Sequence, residues 1–206
     1  TLHSLRQLPA GRAAGRSPMR HADVSSHESQ RPDSLRSLEL LLLLPGYTGR
    51  MRKAYFAAGC FWGEEDAFRK TAGVLEAVSG YAGGHTENPT YEGVCTGTTG
   101  HAETVEVTYD PEKVSYEALV RMFFSLHDPT QMNRQGPDVG TQYRSAIFYE
   151  THEERTIAEK VKAELTPTYH PKTIATEITK ATTFYPAEEY HQRYFEKHPG
   201  RAICHA

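Results

Sequence analysis

Cysteine is scarce in this chain. Its three copies, Cys60, Cys95 and Cys204, are too few and too scattered for a secreted disulfide framework, and no CxxC pair offers a zinc site. That leaves a working thiol in a reducing compartment. Positive charge is not in excess either: 23 Lys and Arg stand against 26 Asp and Glu, for a net charge of −3. Nucleic acid and anionic membrane surfaces are therefore poor partners. The leucine run at residues 40–44 is far too short to span a bilayer. No glycine-rich phosphate loop of the P-loop or dinucleotide type occurs, which argues against a bound nucleotide; neither a metal nor another cofactor is expected. Tryptophan occurs once, at Trp62, and that ring lies two residues from Cys60.

What is present divides at Met51. Residues 1–50 hold seven Arg against four acids, a surplus of +3 that leaves −6 for the rest of a chain whose total is −3. No helical or strand period lasts there, so this segment is expected to be a disordered, non-catalytic extension. Its first twenty residues carry four Arg and no acid, which keeps a targeting segment, or an extension foreign to the native protein, as alternatives. The expected location is the cytoplasm, or an organelle if residues 1–50 are a transit peptide. Residues 51–206 then form one catalytic domain with a sizeable core, ending in a mobile tail beyond Pro199 and Gly200. A monomer is expected.

Along that domain, residues 52–58 read as a strand, 61–70 as a helix and 74–81 as a second strand. A short turn at 91–95 precedes a strand at 101–109, and Ser115 caps a helix running to about Leu126. The polar run that follows, closing at residues 141–145, is expected to be an ordered site loop, because it leads straight into a strand at 143–149. Thr151 and Glu154 form a capping box for the next helix. Residues 173–180 alternate like an edge strand, and Pro186 is expected to open a last helix carrying Tyr190, Tyr194 and Phe195. This order suggests βαβ units, an α+β two-layer sandwich on a mixed sheet with a ferredoxin-like core.

Two residues carry the chemistry. Gly59 supplies a turn after the first strand, so Cys60 falls at a helix N-terminus, where free N–H groups and the dipole favour a thiolate. Glu64, Glu65 and Asp66 in the first turn suit that dipole but oppose a second negative charge. Glu103, at the other residue, shares a strand face with Val105, Val107 and Tyr109. It is either a desolvated acid that stays protonated or a solvated strand end. Two other classes remain open. A cysteine hydrolase would draw its base from His85, His101 or His127, and a non-enzymatic protein would use Cys60 as a core hydrophobe.

Five blocks in order narrow this: GCFWG (59–63), GYAGG (80–84), TGHAE (99–103), HDPTQMNRQGPDVGTQYRS (127–145) and EEYHQRY (188–194). Together they resemble the motifs of the A-type peptide-methionine sulfoxide reductases. The resemblance implies thiol-dependent reduction of methionine-S-sulfoxide, free and protein-bound, and so repair of oxidised proteins. It makes Cys60 the nucleophile, Glu103 the general acid, and Phe61 with Trp62 the apolar wall for the S-methyl group. Tyr81 and Tyr143 would hydrogen-bond the sulfoxide oxygen, with Asp138 helping to hold the site. Cys95, within a family-like stretch at 91–97, reads as structural. The sulfenic acid left on Cys60 would condense with a resolving thiol, for which Cys204 is the candidate and Cys95 the alternative, and thioredoxin would reduce the disulfide. The family commonly places that thiol in a glycine-rich segment, whereas residues 201–206 contain no glycine.

Overall fold

The structure, a computed structural model, describes residues 51–201. The expectations for residues 1–50, for Cys204 and for the end of the tail fall outside the described residues. Strand β1 (Arg52–Ala58) leads through Gly59 into helix α1 (Phe61–Arg69), followed by β2 (Val74–Ala82), the short helix α2 (Tyr91–Cys95) and β3 (Ala102–Tyr109). Helix α3 (Tyr116–Ser125) comes next. A two-residue hairpin, β4 (Arg134–Gln135) and β5 (Asp138–Val139), then precedes β6 (Ser145–Tyr149) and α4 (His152–Leu165). The chain closes with β7 (Glu177–Lys180), β8 (Tyr185–Pro186) and α5 (Tyr194–Lys197). Among the described residues, no helix is long and apolar enough to cross a membrane.

The six-stranded sheet has the order β7-β6-β1-β3-β2-β8. Its four central strands are antiparallel, with β3 inserted between β1 and β2, which therefore run the same way. This is the split βαβ arrangement of a ferredoxin-like core, and the parallel pairing of β7 with β6 makes the whole sheet mixed. All the long helices contribute to one core. Phe56 from β1 stacks on Phe68 of α1 and Phe123 of α3, with ring centroids 5.1 and 5.4 Å apart, and Val105, Val107 and Ile147 fill in around them. The opposite face is built of small side chains, Ala57, Ala82, Ala102 and Ala146, beside Tyr55 and Phe148. That thin face lets the segment around Phe184 lie close, and Gly80 is required there: a Cβ would come within 2.3 Å of the Phe184 ring.

The helix caps form where expected. Ser115 accepts the Ala118 amide, and both bonds of the Thr151–Glu154 capping box are present. Three expectations need correction. The strand at 143–149 begins only at Ser145, because Gly140 starts a 3₁₀ turn, Thr141–Tyr143, that takes Tyr143 out of the ladder. The edge strand is confined to Glu177–Lys180. Pro186 opens no helix but pairs opposite Gly80 at the sheet edge, where its missing N–H costs nothing. Beyond it lies a 3₁₀ turn, Glu189–His191, and then a break at Arg193, which is left-handed at φ 52°. Tertiary bonds impose that break: Gln192 takes both the amide and the carbonyl of Ser79, and the Arg193 amide is held by the Glu65 carboxylate at 2.9 Å.

Candidate active site

Gly59 turns the chain at φ 102°, a conformation open to glycine, and delivers Cys60 to the N-cap of α1 in extended conformation. The thiol is buried, at 8% exposure. One residue on, the Phe61 amide donates to Glu103 Oε2 at 3.1 Å. Glu103 sits on β3 opposite Tyr81 of β2 and is 1% exposed, so the solvated-end alternative is excluded. Burial pushes its carboxyl up to about 8, the Phe61 bond opposes that, and the negative charge of Asp138 adds to it. At neutral pH this group holds a proton.

The expected residues that lie among the described ones gather around it. Tyr143 lies within electrostatic reach of Glu103, Cys95, Asp138 and Cys60, and burial first, then those acidic neighbours, pushes its phenol up. Tyr81 is fully buried and donates its hydroxyl to Glu188 Oε2 at 2.9 Å, while Glu188 Oε1 accepts the Tyr91 amide. Trp62 is half-buried and stacks flat on Tyr194, with centroids 3.7 Å apart, and its indole N–H donates to His191 Nδ1 at 3.1 Å. Phe61, 1% exposed, packs among the rings of Trp62, Tyr81 and His191. Of the expected apolar pair, Trp62 is therefore the ring still partly open to solvent. The long polar loop is ordered by its own side chains. Asp128 accepts from Thr130 and Gln131, while Gln135 bonds both backbone groups of Asp128. Burial opposes ionisation of Asp128, but the Thr130, Gln131 and Lys172 bonds outweigh it and hold its carboxyl near 2.

Cys95 departs from the structural reading. It is exposed at the end of α2, its sulfur is bonded by the Tyr91 hydroxyl, and it faces Glu103. Exposed yet within electrostatic reach of Glu103 and Glu188, this thiol lies at the rim of the site rather than in the core. Sequence reasoning also assigned no role to Glu188, His191 and Tyr194. Their block was visible as a motif, but nothing local in it shows that a segment more than a hundred residues away orients Trp62 and Tyr81. Two of the three candidate histidine bases for a hydrolase are engaged in structural hydrogen bonds. His101 accepts from the Gly84 amide and donates to the Thr86 carbonyl, and His127 bridges the Phe123 carbonyl and Ser145. Among the described residues no cluster of three or more His, Cys, Asp or Glu could hold a metal.

A thiol at a helix start, with a buried acid bonded to the next residue's amide, is equipped for nucleophilic attack coupled to proton delivery, the chemistry of a thiol-dependent reductase. Comparison with known proteins narrows the class. The profile of the family described as peptide methionine sulfoxide reductase matches residues 52–206. The peptide methionine sulfoxide reductase MsrA of Methanothermobacter thermautotrophicus is 59% identical over 153 residues, which is 74% of this chain and 90% of that protein. Mxr1 from Saccharomyces cerevisiae in reduced form superposes with a TM-score of 0.71 at 38% identity, over 77% of this chain and 94% of that one. Mxr1 in complex with Trx2 superposes with a TM-score of 0.51 at 28% identity, over 74% and 90%. The chain belongs to the peptide methionine sulfoxide reductase family. It is an oxidoreductase that reduces methionine sulfoxide.

Proposed function

We propose that this enzyme reduces the S epimer of methionine sulfoxide, free and within oxidised proteins, through a sulfenic acid on Cys60. The Cys60 thiolate attacks the sulfoxide sulfur while Glu103 gives its proton to the oxygen. The sulfur–sulfur bond so formed then breaks as the hydroxyl passes to Cys60, which leaves S–OH there, releases the thioether and oxidises Cys60 by two electrons. The observation that carries this reading is the 3.1 Å bond from the Phe61 amide to Glu103, which puts a protonated acid beside the nucleophile's own helix start. Trp62, with Phe61 behind it, walls the S-methyl group. Tyr143 serves the sulfoxide oxygen, and Tyr81 does so by exchanging its Glu188 partner. Asp138 supports the site through its charge on Glu103 and Tyr143.

Cys204 then attacks the sulfenic acid, expelling water and forming a Cys60–Cys204 disulfide, which a thioredoxin returns to two thiols. The complex of the related Mxr1 with Trx2 supports that reductant. Residues 51–206 are the catalytic domain and act as a monomer in the cytoplasm or another reducing compartment; residues 1–50 are dispensable. The decisive assay follows wild type and Cys60→Ser on both sulfoxide epimers, with peptide mapping of the oxidised enzyme. Turnover of the S epimer alone, no activity in Cys60→Ser and a Cys60–Cys204 crosslink are expected. Equal use of both epimers, or an active Ser variant, would sink the assignment; a Cys60–Cys95 crosslink would move resolution to the exposed rim thiol.

A further inference from the structure

His191 is a buried hydrogen-bond donor that the reaction leaves without a role. It ends the 3₁₀ turn Glu189–His191 at 1% exposure, wedged among the rings of Phe61, Trp62, Tyr91 and Tyr190, with centroids 4.1 to 5.7 Å away. Its Nδ1 accepts the Trp62 indole N–H at 3.1 Å. An indole nitrogen only donates, so Nδ1 carries no proton and the neutral ring holds its proton on Nε2. That Nε2–H is buried and has no hydrogen-bond partner among the described residues, an arrangement that costs free energy. The acceptor nearest to it is Glu188 Oε2, 4.0 Å away, which is about 1 Å beyond bonding distance. Glu188 Oε2 is already taken: it accepts the Tyr81 hydroxyl at 2.9 Å, while Oε1 is pinned by the Tyr91 amide at 2.9 Å.

We propose that His191 is a positioning residue that takes over Glu188 Oε2 when Tyr81 turns its hydroxyl to the sulfoxide oxygen, so that Trp62, His191, Glu188 and Tyr81 act as one relay. The inference rests on the role proposed above for Tyr81. Without a replacement donor, that turn strips a half-buried carboxylate of one of its bonds, which opposes contact with the substrate. A pivot of the carboxylate about its Tyr91 bond brings Oε2 to the Nε2–H instead. The unpaired donor and the freed acceptor then satisfy each other, and the release of Tyr81 is offset. Burial opposes ionisation of Glu188, but the bonds from the Tyr91 amide and the Tyr81 hydroxyl outweigh it, so the group stays an acceptor. The exchange joins the two sides of the substrate, because the imidazole that receives Glu188 is the one that holds the Trp62 ring.

His191→Asn keeps an oxygen near the Nδ1 position for the Trp62 indole but has no donor at Nε2, whereas His191→Gln carries an amide N–H to the Nε2 position. Each is made in the full chain with Tyr81 and with Tyr81→Phe. The second-order rate constant for single-turnover reduction of methionine (S)-sulfoxide is then measured, and emission from Trp62, the one tryptophan of the chain, checks that its surroundings persist. With Tyr81 present, His191→Asn lowers the constant about ten-fold and His191→Gln recovers most of the loss. In Tyr81→Phe, which has no hydroxyl to hand over, the same Asn substitution lowers it further by about two-fold at most. Equal effects in both backgrounds, large or nil, or a loss that His191→Gln does not recover, would overturn the exchange and leave His191 as a packing residue against Trp62. A Tyr81→Phe enzyme with an undiminished constant would instead remove the reading on which the inference depends.

Discussion

Two glutamates that occupy the first turn of a helix behave in opposite ways. Glu64 on α1 is buried beside Cys60, and burial pushes its carboxyl up to about 8. Glu117 on α3 lies on the outer surface with Arg121 and Lys160, whose hydrogen bonds hold its carboxyl below the ordinary value. Both positions lie in the first turn, where the helix dipole favours a negative charge. The difference shows that the dipole is the weaker influence here: removal from water decides the ionisation of one, and exposed cationic partners decide that of the other. The same contrast extends through the site. Glu65 is pushed up to about 7 by burial despite the Arg193 amide bond, and Glu103 to about 8, so the carboxyls around Cys60 form an acid reserve that the surface ion pairs do not.

The sharpest break of that contrast is Glu103→Ala. Loss of a positioned general acid lowers the single-turnover rate by roughly 10²- to 10⁴-fold. Glu103→Gln keeps a donor but no transferable proton and falls between wild type and Ala. A wild-type rate in Glu103→Ala would mean that this buried acid has no part in the reaction.

Stability against pH gives a middle-sized test. In the folded protein Glu64 and Glu103 hold their protons to about 8, against 4.5 for the free side chain. The stability they contribute is therefore complete below about 4.5 and is lost as pH rises through about 8. Melting temperatures should fall along that interval, less steeply in Glu64→Gln. A melting temperature that climbs there in wild type would show that the carboxyls ionise freely in the folded state.

The smallest effect belongs to the surface. Glu117→Gln removes one partner of Arg121 and Lys160, but exposed pairs are screened by water and salt. Reductase activity should be unchanged, and any shift in melting temperature should fade as salt is raised. A salt-insensitive loss of stability would mean that the α3–α4 ion pairs act as buried ones.

Much of the site could be read locally. The alternation around Glu103 placed it on the apolar face, Gly59 placed Cys60 at a helix start, and Ser115 and Thr151 marked their helix starts. Each of these depends on neighbours a few residues away. The break at Arg193 could not be read in this way, because the pattern after Pro186 is compatible with a continuous helix and only the bonds to Glu65 and Ser79 interrupt it. Cys95, read as structural from its family-like stretch, was misplaced for a related reason: its exposure depends on how α2 lies against the sheet.

The sequence by itself determined most of the element order, the split βαβ core, the place of Cys60 at a helix start and the apolar strand face of Glu103, since periodicity, turns and caps are short-range properties of the chain. The tertiary structure alone decided which polar groups are dry. Glu64 looks in sequence like an ordinary solvated first-turn acid, and His191 like one histidine among eleven. Their burial is set by strands and turns brought from up to 129 residues away, as in the bond between Trp62 and His191. Desolvation depends on everything packed around a group, so no local pattern encodes it.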